Sequence, residues 1–142
     1  HPERWQEVSL LLEKNIQQCD LEPSGPEEKA AQQAIRLLGA LITDPERLSS
    51  SSVMKCAVDC VSLHVVPSIE HSSPVLRSAA LLEIGGAAKE LLIALPQPVI
   101  RQLMDGAIAS ALEDPVVAVR SSACRMIGDF VNAGFYLSAK VR

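Results

Sequence analysis

Two nine-residue stretches of this chain align without a gap, 43 residues apart. They are Arg77-Ser-Ala-Ala-Leu-Leu-Glu-Ile-Gly85 and Arg120-Ser-Ser-Ala-Cys-Arg-Met-Ile-Gly128. A third stretch, Ala34-Ile-Arg-Leu-Leu-Gly39, ends on a glycine 46 residues before Gly85. Such offsets belong to structural repeats built from two or three helices. A chain with this internal period must bury apolar surface between neighbouring copies of one motif, because a single copy leaves a face uncovered. Glycine inside a helix costs about 1 kcal/mol against alanine, so its return at 39, 85 and 128 implies a packing reason.

Proline and glycine cut the rest into helix-length blocks. Residues 2–19 place Trp5, Val8, Leu11, Leu12 and Ile16 on one stripe, with Glu7, Lys14, Gln17 and Gln18 opposite, which is helical spacing. After a loop at 20–26, Pro26 suits the first position of a second helix reaching about Ile42. Glu27 and Glu28 then favour the positive end of its dipole. Residues 43–52 read as a connector. A third helix spans 53–66 and stops before Pro67. Ser72 or Ser73 caps a fourth, which opens with Pro74 and runs toward Leu95. Pro96-Gln97-Pro98 is a joint. Over 99–112, Ile100, Leu103, Met104, Ala107, Ile108 and Ala111 share one face. Asp114 caps a sixth helix, Pro115 opens it, and it continues to about Asn132. No window alternates as a strand would.

Six helices make three pairs, at about 2–42, 53–95 and 98–132, with 133–142 starting a further helix. The chain reads as one repeat segment over 1–142, cut from a longer array. Aromatic residues are only 3% of the 142 positions. That rules against a sandwich or barrel core, which leans on aromatic and β-branched residues.

Charge narrows the partners. Lys and Arg number 13 and Asp and Glu 17, a net charge of −4, and residues 1–50 hold nine of the acids against five bases. No stretch is basic, so the counterion release that drives nucleic-acid binding has no source and no nucleic-acid partner is expected. No apolar run approaches the ~18 residues that a membrane span needs, and no membrane role is expected. The four scattered cysteines suit no disulfide framework. The expected location is intracellular, cytoplasmic or nuclear.

The segment Leu-Glu-Asp-Pro-Val-Val-Ala-Val-Arg-Ser-Ser-Ala-Cys-Arg-Met-Ile-Gly-Asp-Phe-Val over 112–131 resembles a HEAT repeat, within the wider HEAT/armadillo group. Asp114, Pro115, Val119 and Arg120 match the family's turn acid, turn proline and Val-Arg step. The middle repeat departs from the pattern, with His71 in the acid's place and the turn proline shifted to Pro74, although Leu76-Arg77 keeps the hydrophobic–Arg step. The first departs further, with Ala31 where the arginine belongs. The resemblance implies an all-α, right-handed α-solenoid of about three HEAT-like antiparallel helix pairs. It also implies a polar ladder between layers, offered here by Arg77, Asp114 and Arg120. A solvated ion pair would contribute only about 0–1 kcal/mol.

Few residues invite chemistry. Cys56, Cys60 and His64 follow at i, i+4 and i+8, but Val53, Ala57, Val61 and Val65 share that broad stripe. Free cysteine packs as a small hydrophobe, so core packing is the expected role and no metal site is expected. Glu70-His71 lacks a nucleophile, and there is no glycine-rich phosphate loop. The serines at 49–52 read as the cap of the third helix. No catalytic residue and no cofactor is expected. The chain is therefore read as a non-enzymatic scaffold or adaptor for protein–protein interaction. Solenoids present such surfaces on the second helix of each pair, here Gln32, Gln33, Arg36, Glu83, Arg125 and Asp129. Protein partners and flanking repeats of the same chain are expected. A tubulin-binding array of the TOG type is an alternative, although the inter-helix turns lack the aromatic and basic residues those arrays use. A HEAT-like lyase or hydroxylase subunit is another, although the His-Glu steps such hydroxylases need do not occur.

Overall fold

The computed structural model describes residues 2–21 and 25–134, and all regular structure among them is helical. Helix α1 (Pro2–Leu21) is followed by α2 (Pro26–Ile42) and a 3-10 turn (Pro45–Leu48). Helix α3 (Ser51–Cys60) runs on through a π-helical stretch (Val61–Val65) into a last α-turn (Val66–Ser68). Then come α4 (Pro74–Gly85), α5 (Lys89–Ala94), α6 (Gln97–Glu113) and α7 (Val117–Asn132). No helix among the described residues is long and apolar enough to cross a membrane.

The helices meet in a regular way. α1 packs on α2 and on α3, α6 packs on α7, and the 66–68 turn touches both α4 and α6. Helices α2, α4 and α7 lie side by side, α2 against α4 and α4 against α7. One apolar cluster runs from Trp5 to Phe130. Leu12, Ile35, Leu38, Leu76, Leu81, Ile84, Leu103 and Met126 are among its fully buried side chains. Each such side chain contributes about 1.5–3 kcal/mol through burial.

Several local expectations need correction. The third helix does not stop before Pro67. Proline lacks an N–H and its ring crowds the carbonyl four residues back. The π-helical widening absorbs this: Val66 N–H reaches back five residues to Val61 O, and Ser68 Oγ donates to His64 O at 2.7 Å. The fourth helix does not reach Leu95. It ends at Gly85, and after a turn the extended Ala88 starts α5. Ala88 N–H donates to Ile42 O at 2.8 Å, which ties this break to the end of α2. Leu91, Leu92 and Leu95 are thereby buried against α3 and the 3-10 turn. The connector is not bare loop, because Asp44 Oδ1 accepts from Glu46 N at 2.9 Å and Leu48 is buried.

Cap assignments also shift. Ser73 caps α4 by accepting from Leu76 N at 3.3 Å. Ser50 stands at the start of α3 but bonds Ser52 Oγ instead of a backbone N–H. Helix α6 already includes Gln97. Asp114 and Pro115 precede α7, whose cap position is Val116. On α6, Leu103, Met104 and Ala107 are buried, whereas Ile108 is only half-buried and Leu11 of α1 is exposed. Ala133 and Gly134 form the turn that ends α7, Gly134 at φ 90°, and the rest of the further helix expected there lies outside the described residues.

The recurring glycines do different work. A methyl on Gly39 would meet the Glu83 carboxylate, and one on Gly85 would come within 3.2 Å of Met126 Cα. Among the described residues, nothing lies within 4 Å of the equivalent point on Gly128. Gly85→Ala is therefore expected to cost about 1–3 kcal/mol through overpacking of α4 on α7. Gly128→Ala is expected to gain up to about 1 kcal/mol through helix propensity. Urea midpoints of the two variants, with unchanged slopes, check both signs.

Candidate functional site

Two inter-helix turns share one hydrogen-bond pattern, 43 residues apart. In the later turn, Asp114 Oδ1 accepts from Val116 N at 2.9 Å, and Arg120 Nη1 donates to Asp114 O at 2.7 Å. In the earlier one, His71 Nδ1 accepts from Ser73 N at 2.9 Å, and Arg77 Nη1 donates to His71 O at 2.9 Å. Histidine thus does for the backbone what the acid does 43 residues later. An imidazole nitrogen with a free lone pair accepts as a carboxylate oxygen does. With Nδ1 accepting, the other nitrogen carries the proton, and it faces Asp20 Oδ1 at 2.6 Å.

Arg77 joins the two turns. Its Nε and Nη2 donate to Asp114 Oδ2 and Oδ1 at 2.8 and 3.1 Å, a bidentate pair that is largely buried. Planar forks of this kind are among the stronger polar contacts in proteins. The Arg77 hydrogen bonds hold the Asp114 carboxyl below its ordinary value of 3.8; the Val116 N–H adds to this and desolvation works against it. Arg77, Asp114 and Arg120 therefore meet in one node, and Asp20 and His71 extend it toward the first helix pair.

Beside this node lies a groove of about 430 Å³. Val75, Ala79 and Leu82 of α4 line it with Val116 and Ala118 at the start of α7, and Gln32 and Arg36 come from α2. Glu83 closes one end, half-buried over Gly39, which has no Cβ to obstruct the carboxylate. Burial pushes the Glu83 pKa up, and the charge on Arg36 works the other way. Ser78 Oγ lies 2.6 Å from Ser122 Oγ, which itself donates to Ala118 O, so the groove wall is tied across α4 and α7. An apolar floor with two opposite charges at its rim suits a side chain of a polypeptide more than a small polar metabolite.

The structure brings Gln32, Arg36 and Glu83 together in this groove. It does not bring the other surface candidates there. Gln33 lines a separate groove with Leu11 and Leu37, Arg125 is exposed on α7, and Asp129 lies against Gly85. Sequence spacing missed Val75, Leu82 and Val116, because a shared wall between helices leaves no period of its own.

A second cleft, of about 610 Å³, runs between α1 and the π-helical stretch. It is lined by Ser9, Glu13, Asp20, His64 and His71, among others. His64 Nε2 lies 2.9 Å from Ser9 Oγ and ties α3 to α1. Cys60 is buried with Sγ 3.9 Å from Trp5 O, and burial lifts its thiol to about 11. Cys56 is half-buried and unlinked. The three side chains of this face thus take separate surroundings, and no group of His, Cys, Asp or Glu among the described residues is placed to hold a metal. No protein-family model, no curated protein and no solved structure matches the chain.

Two titrations follow. Burial lowers the His64 pKa below 6.5. Its contribution is complete above that value and is lost as the pH falls below it, because the unfolded chain takes the proton first. Melting temperature should fall through this window, and His64→Gln should flatten the fall. The depressed Asp114 acts lower: its contribution is complete above 3.8 and is lost as pH drops through the folded value. Asp114→Ala should cost about 1–3 kcal/mol near neutral pH, since it strands the Arg77 guanidinium. Urea unfolding at several pH values measures both.

Proposed function

We propose that this chain is a non-enzymatic protein-binding scaffold. In this reading it is a right-handed, HEAT-like α-solenoid of helix pairs that acts inside the cell, and flanking repeats of its own chain are among its partners. The observation that carries the reading is the groove made by α2, α4 and α7, with Arg36 and Glu83 at its rim. Three helices far apart in sequence build it, and the Arg77–Asp114 node ties two of them, α4 and the start of α7. The matched turns at 71–77 and 114–120 support a repeat architecture, because the same bonds return at the sequence offset. Extended surfaces lined by successive second helices are how solenoids hold polypeptides. The occupant that fits is a peptide segment that seats an apolar side chain against Val75, Leu82 and Val116. It would meet Glu83 with a cation and Arg36 with an acid or a carbonyl.

Selection of peptides from a displayed library on the immobilised chain tests this. Enriched peptides should carry an apolar residue next to a basic one. The double variant Arg36→Glu, Glu83→Lys should weaken them by about tenfold or more, the effect of 1.4 kcal/mol. Ile93→Ser, on the exposed side of α5, should leave them unchanged. Peptides whose affinity ignores the charge swap, or a library that yields none, overturn the reading.

A further inference from the structure

Three atoms of one side chain crowd a single glycine. A Cβ built on Gly39 would stand 2.5 Å from the Glu83 carboxyl carbon and 2.6 and 2.7 Å from its two oxygens. A point almost equally far from all three atoms lies over the face of the carboxylate, not off its edge. The Glu83 carboxylate of α4 therefore lies flat on α2, in the space that any other residue at 39 would fill. Where α4 meets α7, Gly85 instead faces Asp129 Oδ2 at 3.0 Å and Met126 Cα at 3.2 Å. The two glycines serve different ends: Gly85 lets two backbones approach, and Gly39 seats a charge.

That seat leaves the carboxylate short of partners. Glu83 is half-buried, and no hydrogen bond from the described residues reaches either oxygen. Arg36, three residues before Gly39 on α2, acts on it through charge alone. The α7 residues that line the groove, Val116 and Ala118, carry no charge. Gly39 covers one face of the carboxylate, but hydrogen bonds to a carboxylate come in its own plane, along the edge that carries both oxygens. Two parallel N–H groups of a guanidinium fit that edge as a fork, whereas an ammonium offers a point charge without a plane.

We infer that the groove takes an arginine side chain of its polypeptide partner, forked onto the Glu83 oxygens, and that Gly39 is the positioning residue that lays the carboxylate flat to receive it. This rests on the peptide-binding reading of the groove, and adds to it the identity of the cation and a residue that touches no ligand. A side chain at 39 would lift the carboxylate off α2 toward water. The fold tolerates this, because the displaced atoms are the far end of a flexible side chain and not backbone.

Selection from the displayed library on the unmodified chain, on Gly39→Ala and on Glu83→Asp decides it, with circular dichroism to verify that each variant folds. Glu83→Asp keeps the charge but draws it back from Gly39, so it tests the same point without touching α2. On the unmodified chain, arginine should exceed lysine beside the apolar residue. Both variants should keep the apolar residue and lose the excess of arginine over lysine. The Glu83 carboxyl carbon, followed by NMR, should titrate above 4.5 in the unmodified chain, because burial disfavours the charge, and move down toward 4.5 in Gly39→Ala. Lysine matching arginine on the unmodified chain overturns the inference and leaves the groove reading standing. So does an arginine excess that survives Gly39→Ala, or a Glu83 titration that Gly39→Ala does not move. A library that yields no peptide overturns the reading and the inference together.

Discussion

The spacing between α4 and α7 is held where Arg77 meets Asp114. One guanidinium spans two turns: it donates to the carbonyls of His71 and Ser72 on one side and grips both carboxylate oxygens of Asp114 on the other. Both side chains are largely out of water, so neither can be lost without leaving a charge stranded in a poorly solvated place. Geometry this specific sets how far α4 and α7 can slide along each other. The Ser78–Ser122 bond and the close approach at Gly85 depend on that setting. The groove depends on it in turn, because its walls belong to those two helices and to α2.

Helices α1 and α2 are joined to the segments after them by different chemistry. Asp20 reaches His71, Ser73 reaches Glu28, and His64 reaches Ser9. All three ties involve a neutral hydroxyl or an exposed carboxylate, so each is weaker than the buried Arg77 fork. Apolar packing does the larger share there, through Trp5, Leu12, Cys19, Ile35 and Leu38. Helix α5 adds a lid of three leucines over the end of this core, a part that the repeat pattern does not contain.

The candidate site was half legible. Gln32, Arg36 and Glu83 were readable because polar residues on the exposed side of a helical period can be listed from spacing alone. Which of them share a groove was not readable. Gln33 sits one residue from Gln32, yet a rotation of about 100° per residue puts it on a different surface. The floor residues carried no signal, since Val75 and Leu82 look like any other apolar positions. The hydrogen bonding of His71 was likewise hidden. Read as a break in the pattern, it turned out to accept the same backbone N–H that Asp114 accepts, because a ring nitrogen and a carboxylate oxygen can stand at similar distances from the chain.

The sequence by itself determined that the chain is helical, roughly where six of the helices lie, and that the helices opening near Arg77 and Arg120 share a register. Those properties follow from local rules: apolar period, proline and serine at helix starts, and a repeat that keeps five of nine residues between 77–85 and 120–128. Only the tertiary structure decided the rest. It showed that the helix through Pro67 continues by widening to a π turn, that α4 breaks at Gly85 because Ala88 meets the end of α2, and that Ile108 lies at the edge of the core. It also showed that Gly39 and Gly85 are covered, whereas none of the described residues covers Gly128. Each of these depends on what another helix places nearby, and such neighbours leave no mark on the local order of residues.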